Sequence, residues 1–90
     1  MFKTLEELIT VIRQRKESSA EESYTKKLLK DKKLSIEKVK EEIAELIDAI
    51  EKNSNKVHES ADVLYHLMVL LEANDIKIED VMDELKKRKK

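Results

Sequence analysis

IEKVKEEIAELIDAIEKNSNKVHESADVLYHLMVLLEA, residues 36–73, decides the fold. In its first half Ile36, Val39, Ile43, Leu46, Ile47 and Ile50 recur at helical spacing and share one stripe. Asn53-Ser54-Asn55 then interrupts the pattern with residues that turn a chain readily. The second half, 56–73, carries Val57, Ala61, Leu64, Met68 and Leu71 on one face. Val63, Tyr65, Leu67, Val69 and Leu70 fill most of the remainder. A helix apolar nearly all round is buried on several sides. In so small a chain, one of those sides is expected to be a subunit interface.

The same reading extends outward. Leu5, Leu8, Ile9 and Ile12 predict a helix over 5–16, and Thr4-x-x-Glu7 fits a capping box. After a polar break at 17–20, Ser19-x-x-Glu22 is expected to cap a short helix carrying Tyr24, Leu28 and Leu29. Asp31 to Ser35 reads as a charged connector. Beyond Asn74-Asp75, a last helix over 78–87 is expected to turn Val81, Met82 and Leu85 inward. The expected fold is all-α: one domain over 1–90, an antiparallel bundle of four to five helices, completed by dimerisation.

Composition narrows the function classes. Charged residues make up 43% of the chain, yet the net charge is −1. Neither a basic field for nucleic acid nor an acidic tail is present, so no nucleic-acid partner is expected. Cysteine is absent, which excludes disulfides, zinc fingers and thiol nucleophiles. Glycine and proline are absent too, where average usage gives about six and about four. That excludes the Gly-rich loops that cradle phosphates. The longest apolar run, 63–71, is interrupted by His66 and falls short of the ~20 residues of a membrane span. Met1-Phe2-Lys3-Thr4 lacks a signal-peptide layout, so a cytoplasmic protein is expected.

Carboxylates are the chemistry left. Glu42 with Glu45, and Glu59 with Asp62, are i, i+3 pairs on helices that otherwise read as core. Folded about Asn53–Asn55, the hairpin sets Glu45 about nine residues before the turn and Asp62 about eight after it, nearly level. Buried carboxylates repel and are costly to desolvate without a cation. Oxygen donors alone suit Mg²⁺. Glu41 points about 100° from Glu42, and spacing leaves either as the ligand; Asp48, one turn beyond Glu45, is placed to join. Twenty acidic residues also make accidental pairs common, so spacing alone leaves a solvated acidic face equally open.

The remaining polar candidates are weaker. His58 beside the turn reads as solvated, and His66 as a hydrogen-bonded core histidine. Ser23, Tyr24 and Thr25 read either as a hydroxyl patch or as a helix start with packing. Lys86 to Lys90 suits a helix C-terminal dipole and could also touch phosphates.

Three motifs carry a resemblance. They are Ser23-Tyr24-Thr25-x-x-Leu28-Leu29, Glu41-Glu42-x-x-Glu45, and Glu59-x-Ala61-Asp62-x-Leu64-Tyr65-His66-Leu67-x-Val69-Leu70-Leu71. Together they closely resemble the phosphoribosyl-ATP pyrophosphohydrolases, a branch of the MazG-like all-α nucleotide pyrophosphohydrolases. The likeness spans nearly the whole chain, including Leu5-Glu6-Glu7-Leu8 and Ile78-Glu79-Asp80-Val81. It implies a helical homodimer, with a tetramer open, that hydrolyses phosphoribosyl-ATP or a related nucleotide with Mg²⁺ in the second step of histidine biosynthesis. It implies Glu42, Glu45, Glu59 and Asp62 as metal ligands, and Glu41 as a supporting acid that orients water beside Glu42 and Glu45. Arg13, Arg15, Lys26, Lys27 and Lys38 become candidates for a phosphate clamp, with Tyr24 and His66 as further substrate contacts.

The chain departs from the family in two places. Family members usually carry a glycine after the Leu-Leu segment and another before the Glu-Glu pair; Asp31 or Lys32, and Lys40, stand there instead. Glu41 to Ile50 leans toward the MazG side, where an acid at the position of Asp48 is common. A house-cleaning (d)NTP pyrophosphatase is therefore the second reading, and a non-catalytic helical dimerisation module the third.

Overall fold

The computed structural model describes residues 2–18 and 23–89, and its described residues form five helices and no strand. They are α1 (Lys3–Glu17), α2 (Tyr24–Lys30), α3 (Lys32–Lys52), α4 (Lys56–Ala73) and α5 (Ile78–Lys87). The all-α expectation holds, and the hairpin of the opening stretch falls where its apolar period and Asn-rich turn put it. None of these helices is long and apolar enough to cross a membrane.

Without glycine, the chain makes its sharp turns with asparagine and aspartate. Asn53, Asn55 and Asp75 adopt positive φ, near +54°, +54° and +58°. Short polar side chains tolerate this left-handed region best among non-glycine residues. At the end of α3 the Ser54 N–H reaches back to the Ala49 carbonyl, and at the end of α4 the Ile76 N–H reaches the Leu71 carbonyl. Both are Schellman closures that satisfy otherwise orphaned helix carbonyls.

Two expected starts are revised. Thr4 lies inside α1, which begins at Lys3 without a side-chain cap, so no capping box forms there. The expected connector over Asp31–Ser35 is the first turn of α3. The Asp31 N–H closes α2 on the Lys27 carbonyl, while its Oδ1 accepts the Leu34 N–H at 3.0 Å and opens α3. One aspartate thus serves both helix ends. Ser23 caps α2 by accepting the Lys26 N–H at 3.1 Å; the cap expected from Ser19 to Glu22 lies outside the described residues.

The core gathers where α1, α2 and α4 meet. Ile12, Leu28, Leu29, Met68, Val69 and Ala73 are buried there, with Leu5, Leu8, Ile9 and Leu34 packed around them. On the outer side of this layer Arg13 grips Glu79 through both terminal nitrogens, at 2.9 and 2.6 Å, and reaches Glu72 at 3.3 Å. Lys16 donates to the Glu72 carbonyl and to Asp75. These ion pairs tie α1 to the α4–α5 corner.

The most extensive contact joins α3 to α4. Its seam on α3 is Ser35, Val39, Glu42 and Ala49, with Leu46 half-buried. This seam lies about 100° round the helix from most of the expected apolar stripe. Ile36, Ile43, Ile47 and Ile50 consequently stay exposed, as do Val57 and Leu64 on α4. Ser35 and Ala49 are buried on α3 where these isoleucines are not. α5 has no buried residue; Met82 and Leu85, expected inward, are exposed, because the backbone of α5 packs closely on α4 alone and α1 reaches it through the Arg13–Glu79 pair.

Candidate active site

The hairpin brings carboxylates of both its helices together. Glu42 and Glu45, one turn apart on α3, meet Glu59 of α4, with one oxygen from each within 4.8 Å of the others. Glu59 also belongs to a second group of the same tightness with His58 and Asp62. The two triplets overlap at Glu59, and the charge of Asp62 also reaches Glu42. His58 Nε2 stands 3.4 Å from Asp62 Oδ2, one helical turn away.

Glu42 is the unusual member. It lies on the α3–α4 seam and is only 8% exposed. Burial first, then the Glu45 carboxyl against it and the charge of Asp62, push its pKa up to about 7, with Lys38 opposing. Glu42 Oε2 and Glu59 Oε2 are buried with no hydrogen-bond partner. Such atoms are costly to leave unpaired. An oxygen-rich cluster with two orphaned buried carboxylate oxygens fits a hard divalent cation, and His58 adds one nitrogen donor at its rim.

Flanking groups surround this cluster. An open groove is lined by Glu41, Ala44, Glu45, Asp48, Ala49 and Glu59. Glu41 faces that groove and pairs with Lys38 at 3.3 Å, outside both triplets. Asp48 pairs with Lys52 at 3.1 Å and lines the groove without entering the cluster. Tyr24 donates to His66 Nε2 at 2.9 Å, and Thr25 Oγ1 hydrogen-bonds the Tyr65 hydroxyl. His66 Nδ1 stands 2.8 Å from the Asp62 carbonyl. The hydroxyls of 23–25 thus divide their tasks: Ser23 caps α2, while Tyr24 and Thr25 tie α2 to α4.

The five basic candidates separate. Lys38 stands at the acidic cluster. Arg13 does not: it grips Glu72 and Glu79, and Glu72 is 13 residues past Glu59 on α4, about 20 Å along the axis. Arg15 is exposed on α1, which makes no contact with α3, and Lys27 is exposed on α2. Lys26 is buried and donates to the Ser18 carbonyl, so its ammonium holds the end of α1. His58, read as solvated, is exposed yet grouped with two carboxylates; the i, i+4 spacing of His58 and Asp62 was the available signal.

Fold and site together define an all-α protein with a carboxylate cluster across its central hairpin. Its sequence carries the classification further. The profile of the phosphoribosyl-ATP pyrophosphohydrolase family matches residues 5–89, and the chain belongs to that family. It is 41% identical over 90 residues to the phosphoribosyl-ATP pyrophosphatase of Methanococcoides burtonii, covering 94% of this chain and 91% of that protein. Against the phosphoribosyl-ATP pyrophosphatase of Clostridium novyi it is 46% identical over 92 residues, covering 96% and 81%. Against the histidine biosynthesis bifunctional protein HisIE of Pyrococcus furiosus it is 47% identical over 87 residues. That match covers 96% of this chain but 41% of the bifunctional relative, so the chain spans less than half of it.

Proposed function

We propose that this chain hydrolyses phosphoribosyl-ATP between its α and β phosphates, with Mg²⁺ held by Glu42, Glu45, Glu59 and Asp62. Water adds across the phosphoanhydride bond and the products are phosphoribosyl-AMP and pyrophosphate. The observation that carries this reading is the pair of buried, unpartnered carboxylate oxygens, Glu42 Oε2 and Glu59 Oε2, on two residues whose carboxylates approach within 4.8 Å across the hairpin. Family membership over 5–89 supplies the substrate.

A divalent cation bound there would offset phosphate charge and lower the pKa of a coordinated water. The chain's own groups do the rest. Glu41, exposed at the groove and held by Lys38, is placed to accept a proton from the attacking water. Lys38 contributes positive charge beside the cluster, where the triphosphate would lie. The open groove admits the polyphosphate from solvent, and Glu45 and Glu59 line its floor. The exposed stripe of Ile36, Ile43, Ile47 and Ile50 supports the further reading that two copies pair through α3.

The test is pyrophosphate release with Mg²⁺ from phosphoribosyl-ATP and, in parallel, from NTPs and dNTPs, with a Glu42→Gln/Glu45→Gln double variant as blank. Preferential cleavage of phosphoribosyl-ATP is expected. Cleavage of dNTPs instead would move the chain to the house-cleaning reading. No release from a folded sample would leave the dimerisation module.

A further inference from the structure

His66 sits one turn past Asp62 on α4 and is 7% exposed. Both its ring nitrogens are engaged. The Asp62 carbonyl can only accept, so Nδ1 carries the proton across their 2.8 Å contact. In that tautomer Nε2 accepts the Tyr24 hydroxyl at 2.9 Å. A buried imidazole with no free nitrogen has nothing to offer a ligand directly.

Tyr24 is placed differently. It is 48% exposed on α2, with its ring 18° from parallel to Tyr65 at 6.4 Å and edge-on to His66 at 5.8 Å. Tyr65 and His66 thus hold the tyrosine from the protein side and leave ring surface in solvent. Lys38, Glu42 and Glu41 are its charged neighbours. The chain has only three aromatic side chains: Phe2, Tyr24 and Tyr65. Phe2 caps α1, which does not touch α3, and Tyr65 is half-buried. Tyr24 is therefore the one exposed aromatic surface beside the acidic cluster among the described residues.

We propose that Tyr24 is the shelf on which the purine of the substrate stacks, and that His66 is a positioning residue locking that shelf to the helical turn that carries Asp62. This rests on the nucleotide-hydrolysis reading above. An aromatic face accepts any flat base, so it supplies affinity without hydrogen-bond readout. Its usefulness depends on registry. The base must rest on the ring while the α and β phosphates reach the carboxylates, and two hydrogen bonds in series, Tyr24 to His66 and His66 to the Asp62 carbonyl, couple those two positions. Tyr24 contacts substrate; His66 acts through it.

The experiment uses the full chain with Mg²⁺ and phosphoribosyl-ATP. Removing a stacking ring costs roughly tenfold or more in affinity, so Tyr24→Leu should raise KM by about that factor, with kcat falling less. Tyr24→Phe and His66→Leu each break the tie but keep the ring, and each should raise KM by a smaller factor. The double variant Tyr24→Phe/His66→Leu should be no worse than the poorer single one. His66→Gln, whose amide can still accept near the position of Nε2, should recover most of the loss. Circular dichroism checks the fold of each variant.

A second readout needs no turnover. AMP at millimolar concentration with Mg²⁺ should give intermolecular NOEs from its H2 and H8 protons to the Tyr24 ring. An unchanged KM in Tyr24→Leu, additive effects in the double variant, or no NOE from bound AMP to Tyr24 would overturn the proposal. Failure of the wild type to cleave phosphoribosyl-ATP would overturn the reading of the reaction, and the AMP experiment would still decide the shelf.

Discussion

Replacing Glu42 with glutamine should make the metal-free protein more stable at neutral pH and abolish its response to Mg²⁺. The Glu42 carboxyl titrates near pH 7 in the folded chain against an ordinary value of 4.5. Below 4.5 it is protonated in both folded and unfolded chains. Between 4.5 and 7 only the folded chain keeps the proton, so this group's contribution to stability declines as pH rises through that window and is gone above it. The shift from 4.5 to about 7 corresponds to about 3 kcal/mol at ~1.4 kcal/mol per unit. Glu45 is exposed and Asp62 half-buried, so water screens their share of the shift, while the burial share, the largest, remains; the net effect is at least about 1 kcal/mol. In a chain of this size that moves Tm by roughly 4–8 °C. Calorimetry in EDTA between pH 5 and 8 reads it directly. Wild type should lose stability across the interval by that amount more than Glu42→Gln. Added Mg²⁺ should reverse the order at pH 8, because a cation bound only by the folded wild type stabilises it by about 2.7 kcal/mol at one hundred times its Kd. Equal pH slopes in the two proteins, or an equal Mg²⁺ response, would refute the account of the cluster.

Glu79 titrates near pH 2, chiefly through its hydrogen bonds to Arg13, and Lys16 lowers Asp75 in the same way. Their contribution is present above the ordinary carboxylate range and disappears as pH falls below it. Arg13→Gln should therefore flatten the acid limb of a Tm-versus-pH curve between pH 5 and 2 without changing pyrophosphate release. Ser35 has a buried hydroxyl with no hydrogen-bond partner; urea melts of Ser35→Ala should show a variant as stable as wild type or more so, by up to about 1 kcal/mol. If two copies pair through α3, Ile43→Lys/Ile47→Lys should shift sedimentation from dimer to monomer, and an unchanged profile would rule that face out.

The legible parts of the chain were those fixed by local pattern. Periodicity and the Asn53–Asn55 turn located the central hairpin, because a 3.6-residue repeat interrupted by residues tolerant of positive φ has few other solutions. Which side of α3 meets α4 was not legible. Hydrophobicity ranked the isoleucines highest, whereas the residues buried on α3 are Ser35, Val39, Glu42 and Ala49. The Asp31 joint was missed because a charged run looks like a connector whether or not one of its members caps two helices. In the candidate site, i, i+3 spacing proposed the four acids, while the hairpin's register, which sets Glu59 within 4.8 Å of the α3 pair, had to come from the structure. Arg13 could not be placed from sequence, since its partners Glu72 and Glu79 lie more than fifty residues away.

The joint at Asp31 also bears on how a substrate would come and go. The helix bearing Tyr24 and the helix bearing Glu42 meet at one residue, which closes the first and opens the second. With no slack residue between them, the two walls share the backbone of Asp31 as their joint. A step that bends it would add a slow opening, whereas entry and departure by the solvent side of the groove would leave it at rest and turnover to diffusion and chemistry. Solvent viscosity would in that case act on kcat/KM through encounter, with no separate conformational phase in pre-steady-state traces.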